Sequence, residues 1–150
     1  MILGFTGTRN TPTELQSKWL LNYLIDSGAT ELHHGGCVGS DWLAHKHAVS
    51  LSIRVVVHPG PAGKWRAEEC LVPSRLVTVL PAKDYIPRDY DIVDACERLL
   101  ATPKELPGNE PGRGSGTWAT VRYARRPQIA RPTVICYPDG GVKYERLAAQ

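Results

Sequence analysis

The sequence predicts an α/β fold, a Rossmann-like three-layer sandwich whose mostly parallel central sheet is covered by helices on both faces. Two observations carry that prediction. Short apolar runs alternate along the chain with segments of helical periodicity, the pattern of strand-helix-strand units in a parallel sheet. The first run, MILGF, is continuously apolar rather than alternating, as a central strand buried on both faces must be.

Met1–Phe5 (MILGF) is the first strand, closed by Thr6-Gly7-Thr8. Thr11, Pro12 and Glu14 read as N-cap, first helical position and capping-box acid of a helix. Leu20, Leu21, Leu24 and Ile25 give that helix its apolar stripe, and Gly28 a left-handed stop. ELHH, Glu31–His34, is a second strand ending in Gly35-Gly36. Ser40 caps the next helix, in which Ala44, Ala48 and Leu51 form the buried face. RVVVH is a third strand, rich in β-branched valine. From Pro59 to Arg75 proline, glycine, tryptophan and charge break the pattern into irregular chain. LVTVL (Leu76–Leu80) is strand four, Arg88–Glu97 a short helix and RLLATP strand five. KELPGNEPGRG is too rich in proline and glycine for regular structure. A helix opened by Ser115-Gly116-Thr117, a sixth strand TVICY and a short charged tail complete the chain.

With 150 residues, 42% hydrophobic and 22% charged, the chain has the size and composition of a single globular domain spanning residues 1–150. A net charge of +3 permits anionic ligands without demanding nucleic acid. Cys37, Cys70, Cys96 and Cys136 stand apart with no CxxC pair, and no charged, apolar leader precedes the first strand, so reduced thiols and a cytoplasmic location are expected. No apolar run approaches the roughly 18 residues of a membrane span, so no membrane partner is expected.

Ligands of open parallel sheets bind at the carboxyl ends of strands, near the point where strand order reverses. Three glycine-bearing loops fall at such ends. Gly7, Thr8 and Arg9 follow strand one. Gly35, Gly36, Gly39, Ser40 and Asp41 follow strand two. Gly114, Ser115, Gly116 and Thr117 follow strand five. Glycine allows close approach of backbone, and free N–H groups at a helix start attract anions; hydroxyls and the Arg9 guanidinium add donors. A phosphate or ribose is the ligand this chemistry suits. Neither GxxxxGK[ST] nor a complete GxGxxG fingerprint is present, and no cofactor is expected.

The order TGTR, HHGGCVGSDWLAHKHA, PRDYDIVDACERLLATP, RGSGTWATVRYA resembles the SMF/DprA-LOG (SLOG) superfamily, most closely its small stand-alone YspA- and DprA-like members, over nearly the whole chain. The resemblance implies binding of a nucleotide or nucleoside-phosphate derivative, AMP- or ADP-ribose-like. It also implies hydrolysis of its N-glycosidic bond in LOG-type phosphoribohydrolases, single-stranded DNA binding in DprA-type proteins, and a homodimer. In LOG enzymes a PGGxGTxxE glutamate and an upstream arginine act on that bond. Gly116-Thr117 match the GT and Arg88 the arginine, but Thr120 stands where the glutamate would be. Arg88 and Asp41 are therefore the catalytic candidates, with Asp84, Asp89 and Glu110 as further carboxylates.

His33, His34, Cys37, Asp41, His45 and His47 crowd one stretch, yet their spacing argues against a metal. Adjacent strand histidines face opposite sides and His45 and His47 do not share a helix face. Asp41 and His45, at i and i+4, do share one and are expected to brace each other. Trp42 and Trp118 follow glycine loops and offer rings for a base to stack on or for the core, and Trp65 is placed to cover a ligand. Arg122, Arg125 and Arg126 gather on one helix face, the feature a DNA-binding reading would use; with Tyr123 they would equally suit a subunit contact.

Overall fold

The computed structural model describes residues 1–147; the end of the predicted tail, 148–150, lies outside the described residues. Seven strands form one sheet: β1 (Ile2–Gly7), β2 (Glu31–His34), β3 (Arg54–Val57), β4 (Val77–Val79), β5 (Arg98–Thr102), β6 (Thr133–Cys136) and β7 (Val142–Glu145). Their order is β4-β3-β2-β1-β5-β6-β7, parallel throughout except for β7 against β6. The helices are α1 (Glu14–Asp26), α2 (Ser40–Ser50), α3 (Tyr85–Ala95) and α4 (Gly116–Arg125). α1 packs on α2 and α3 on α4, one pair to each face of the sheet. The Rossmann-like, mostly parallel sandwich predicted from the sequence is the fold observed.

Both faces of the sheet carry core, and consecutive strand residues divide between them. Leu32, Leu100 and Val134 join Leu20, Leu24, Ala44 and Ala48 under the α1–α2 pair. Leu99, Ala101 and Ile135 join Ile92, Val93, Trp118 and Val121 under α3 and α4. A strand that must satisfy two cores has no solvent face to show, which is why the apolar residues of β1, β5 and β6 run consecutively rather than alternating; β2 (ELHH) departs from this, its two histidines being buried by hydrogen bonds to other histidines.

Several boundaries differ from those the sequence suggested. The N-cap of α1 is Thr13, not Thr11, and the capping-box partner is Gln16: Thr13 Oγ1 accepts from Gln16 N at 3.2 Å, and Thr13 N donates to Gln16 Oε1 at 3.0 Å. Gln16 decides the register, because its buried amide also donates to the carbonyls of Pro103 (2.7 Å) and Cys136 (2.9 Å), tying the helix to two strand ends. α2 is capped by Gly39, and Ser40 is its first residue. α3 begins three residues before Arg88, since Pro87 is tolerated in a first turn whose N–H groups lack helical acceptors. Much of the predicted charged tail is instead a hairpin strand, β7. Its turn holds Gly141 N on Asp139 Oδ1 at 2.9 Å, and the Pro138-Asp139-Gly140 sequence was the available turn signal.

The segment from Pro59 to Arg75 is irregular, as expected, apart from one 3-10 turn at Glu68–Leu71. It is nonetheless fastened to the second glycine loop. Val38 N donates to Trp65 O at 2.9 Å and Ala67 N to Gly36 O at 2.8 Å.

Candidate functional site

Strand order reverses at β1, whose neighbours β2 and β5 lead to opposite edges of the sheet. At the carboxyl end of this region opens a cavity of about 350 Å³, the position at which open α/β sheets take ligands. The structure brings most of the predicted residues to it. Gly7, Thr8 and Arg9 form one wall. Gly114, Ser115, Gly116 and Thr117 form another, and Gly35, Asp41 and Arg88 contribute to the floor.

Gly36, Gly39 and Ser40 do not line the cavity. They fit the second loop against the first. Gly39 has φ +81°, and a Cβ there would stand 2.5 Å from the carbonyl oxygens of both Arg9 and Asn10; only glycine satisfies both conditions. Ser40 N donates to Thr8 O at 2.9 Å. The Ser40 hydroxyl is fully buried without a hydrogen-bond partner, as is that of Thr102. A Cβ on Gly7 would meet both side chains within 2.5 Å, so the ends of β1 and β5 and the start of α2 meet here in close contact.

The floor is ionic. Arg88 is 5% exposed, and its Nε donates to Asp89 Oδ1 at 2.7 Å. Its Nη1 donates to the carbonyls of Gly35 (2.6 Å) and His58 (3.2 Å). Asp89 and Asp41, each 6% exposed, also line the cavity. Burial pushes the Asp41 carboxyl up to about 6, against the pull of the Arg88 charge and the Cys37 N–H that it accepts at 3.1 Å. Burial likewise raises Asp89, again opposed by Arg88. The Cys37 thiol beside them is pushed up to about 11, chiefly by burial, and is neutral at ordinary pH.

The upper walls are cationic. Arg9, Lys104 and Arg113 all line the cavity, and among the described residues none of the three is in an ion pair. Arg9 is flanked by the rings of Tyr85 (4.9 Å) and Trp65 (5.3 Å), contacts that hold a guanidinium without neutralising it. At the start of α4 the Ser115 hydroxyl accepts from Trp118 N at 3.2 Å, while the amides of Gly116 and Thr117 have no helical acceptors. Sequence reasoning does not find Lys104, Glu105 and Arg113, because the stretch carrying them reads as structureless; its position immediately after β5 was the available signal. Trp65 does stand at this cavity.

Other candidates take different places. Trp118 is 1% exposed in the core, and its indole N–H donates to Glu105 Oε1 at 2.9 Å; it offers no stacking face. Trp42 packs on the core and lies 5.5 Å from the His45 ring. Asp84 precedes α3 as its N-cap. The arginine face is spent inside the chain. Arg125 pairs with Glu145 and Glu110 at 2.9 Å each, Arg122 lies 3.6 Å from Glu110, and Arg126 donates to Tyr90 OH at 2.9 Å. Tyr123 stacks on Tyr90 at 3.9 Å and donates to Asp94 at 2.7 Å.

The histidines do face opposite sides of the sheet. His33 bonds Glu31 and His58, each at 2.8 Å, and His34 bonds His45 at 2.9 Å. The expected Asp41–His45 brace is not formed, because Cys37 N holds the carboxyl and His34 the imidazole. His34, His45 and Cys70 bring their donor atoms within 4.8 Å of one another. The hydrogen bonding works against a cation there. Gly36 N donates to His34 Nδ1 at 2.9 Å, so the proton sits on Nε2, the nitrogen that faces His45, and that nitrogen has no lone pair for a metal.

No family model and no curated protein matches the sequence. Solved structures do match the fold. The chain superimposes on TM1055, a structural-genomics target, with a TM-score of 0.60 at 12% identity, covering 88% of this chain and 71% of that one. It superimposes on DNA processing protein A from Helicobacter pylori, described for its single-stranded DNA binding mode, with a TM-score of 0.63 at 15% identity, covering 90% of this chain and 64% of that one. These likenesses establish a shared fold. Among the described residues no helix is long and apolar enough to cross a membrane.

Proposed function

We propose that this chain binds a nucleotide or nucleoside-phosphate derivative, AMP- or ADP-ribose-like, in the cavity at the carboxyl ends of β1, β2 and β5. The observation that carries the reading is the division of charge within one cavity: unpaired cations and helix-start amides on its walls, buried carboxyls on its floor. A phosphate suits the walls, since Arg9, Lys104 and Arg113 offer charge-assisted donors beside the amides of α4. Ribose hydroxyls suit the floor, where Asp41 and Asp89 present acceptors.

The test is thermal denaturation with AMP, ADP-ribose and adenosine. A ligand that binds the folded state alone, at about 100 times its dissociation constant, adds about 2.7 kcal/mol. AMP and ADP-ribose should raise the melting temperature and adenosine should raise it far less. Replacing Lys104 and Arg113 together by alanine should abolish that discrimination. No shift with any nucleotide would sink the proposal.

A DNA-binding reading is supported by the likeness to DNA processing protein A. Its expected basic cluster is the weak point: Arg122 and Arg125 are ion-paired, and Arg126 is bonded to Tyr90. Binding to single-stranded DNA that weakens steeply with salt, without any response to nucleotides, would favour it instead.

A further inference from the structure

We infer that a second cavity, where β3 and β4 end against α3, is a binding site for a neutral phenol whose hydroxyl donates to His58 Nδ1. The inference does not rest on the nucleotide reading above, because among the described residues the linings of the two cavities share only Arg88.

A chain of imidazoles behind this cavity fixes where the protons sit. Glu31 Oε2 lies 2.8 Å from His33 Nε2, and a carboxylate only accepts, so that nitrogen carries a proton. With His33 neutral, its Nδ1 has a lone pair, which takes the proton of His58 Nε2 at 2.8 Å. His58 is left with a lone pair on Nδ1. Burial, and then His33, push the His58 imidazole down to about 4, so that lone pair is free at neutral pH. Among the described residues nothing donates to it. Nor is Nδ1 one of the fully enclosed atoms without a partner. His58 is 6% exposed and lines the cavity, so the space that Nδ1 meets is the cavity itself.

Volume and charge select the ligand. The cavity holds about 150 Å³, and an apolar cavity of about that size takes one benzene ring. Its apolar walls are Pro59, Leu80 and Pro81. Backbone bonds fix them: Leu80 N donates to Val57 O at 3.0 Å and Lys83 N to Pro59 O at 3.1 Å. A pocket held in this way gives up little freedom when it is filled. The charged groups around it are paired, Lys83 Nζ with Asp91 Oδ2 at 2.6 Å and Arg88 Nε with Asp89 Oδ1 at 2.7 Å. No unpaired charge is left to select an ion. What is unmet is one acceptor among apolar walls. A hydroxyl on a six-membered ring meets both conditions, the ring filling the volume and the O–H reaching Nδ1. An ammonium group would be opposed by Lys83 and Arg88, and a short aliphatic alcohol would leave part of the volume empty.

Glu31 is the positioning residue of the site, since it acts on the ligand only through the two imidazoles. A lysine in its place has protons to give and no lone pair to offer. The relay then reverses: His33 Nε2 accepts, His33 Nδ1 carries the proton, and His58 Nε2 receives it. His58 Nδ1 becomes a donor, and the phenol hydroxyl loses its acceptor. Glu31 stands at the start of β2 with its side chain 27% exposed, where a longer side chain has room.

The experiment titrates the full chain, with isotopically labelled histidine, against phenol and against anisole, which has the same ring and an oxygen without a proton. Long-range proton–nitrogen correlation spectra at neutral pH should show His58 Nδ1 unprotonated in the free chain and shifted by phenol. Phenol should bind about tenfold or more tighter than anisole, which leaves the buried acceptor unmet. Glu31→Lys should place a proton on His58 Nδ1 and remove that preference. N-acetyltyrosinamide separates the two sources of such a ring: binding as strong as that of phenol points to a tyrosine side chain, binding of phenol alone to a free small molecule, and both uphold the site. A proton on His58 Nδ1 in the unmodified chain, equal affinity for phenol and anisole, or no binding of either probe overturns the inference. So does an undiminished preference for phenol in a variant whose His58 carries its proton on Nδ1. None of these results bears on the nucleotide proposal, which the melting experiment tests separately.

Discussion

Replacing Asp41 by asparagine should stabilise the folded chain at neutral pH and lose that advantage in acid. Asp41 is 6% exposed, and burial raises its carboxyl from 3.8 to about 6. The folded state therefore holds this proton more tightly than the unfolded chain does. The resulting stabilisation is fully present below 3.8 and is lost as pH rises through about 6. At about 1.36 kcal/mol per pKa unit the whole effect is about 3 kcal/mol, of which about 2 kcal/mol falls between pH 4.5 and 7.5. Asparagine can still accept the Cys37 N–H but has no proton to lose. It also relieves Asp89 of a like charge, which acts in the same direction. Urea unfolding of both proteins, followed by tryptophan fluorescence at the two pH values, measures the difference, since titrations common to both cancel. The variant should gain about 2 kcal/mol on the original chain on going from pH 4.5 to 7.5. A gap unchanged to within about 0.5 kcal/mol, the usual size of a neutral surface effect, would refute the reasoning.

Three further outcomes follow from packing and charge. Gly39→Ala should cost about 3 kcal/mol in chemical denaturation, because it combines a left-handed backbone with a clash against two carbonyls. Gln16→Leu should cost about as much by the same measurement, leaving the carbonyls of Pro103 and Cys136 without the donor they share. Arg125→Ala should change stability by less than about 1 kcal/mol, its ion pairs being partly exposed. It should nonetheless weaken AMP binding in calorimetry, because Glu110 then loses one of the two arginines beside the loop that carries Arg113.

The parallel sheet was legible because short strand-like runs such as MILGF and RVVV alternate with segments of helical spacing, and the cavity because glycine and hydroxyl residues gather where such strands end. What escaped had different causes. The start of α1 was misplaced because the chain offers threonine and a capping partner in two registers, and the choice lies with Gln16 bonding to residues about 90 and 120 positions away. Gly36, Gly39 and Ser40 share the composition of a ligand loop, yet they serve contacts between loops; glycine needed for a neighbouring carbonyl looks the same in sequence as glycine needed for a phosphate. The arginine face was legible as a cluster but not as a neutralised one, since its partners, Glu110 and Glu145, lie on separate segments. Lys104 and Arg113 were hidden in a stretch without periodicity.

The glycines of the loops that build the cavity differ in what surrounds them, and so in what change they permit. At Gly7, Gly35 and Gly39 an added methyl group would meet atoms 2.4 or 2.5 Å away, whereas at Gly112 nothing lies within 4 Å. The loops after β1 and β2 are thus committed to their present sequence by packing, whereas the loop between β5 and α4 has open space for side chains at Gly112 and is held to glycine by its left-handed backbone only at Gly108 and Gly114. A lineage or a designer seeking a different ligand would keep TGTR and GGCVGS and rewrite the loop between β5 and α4. Divergence in ligand choice on this architecture should be found there, with the floor and the opposite wall inherited unchanged.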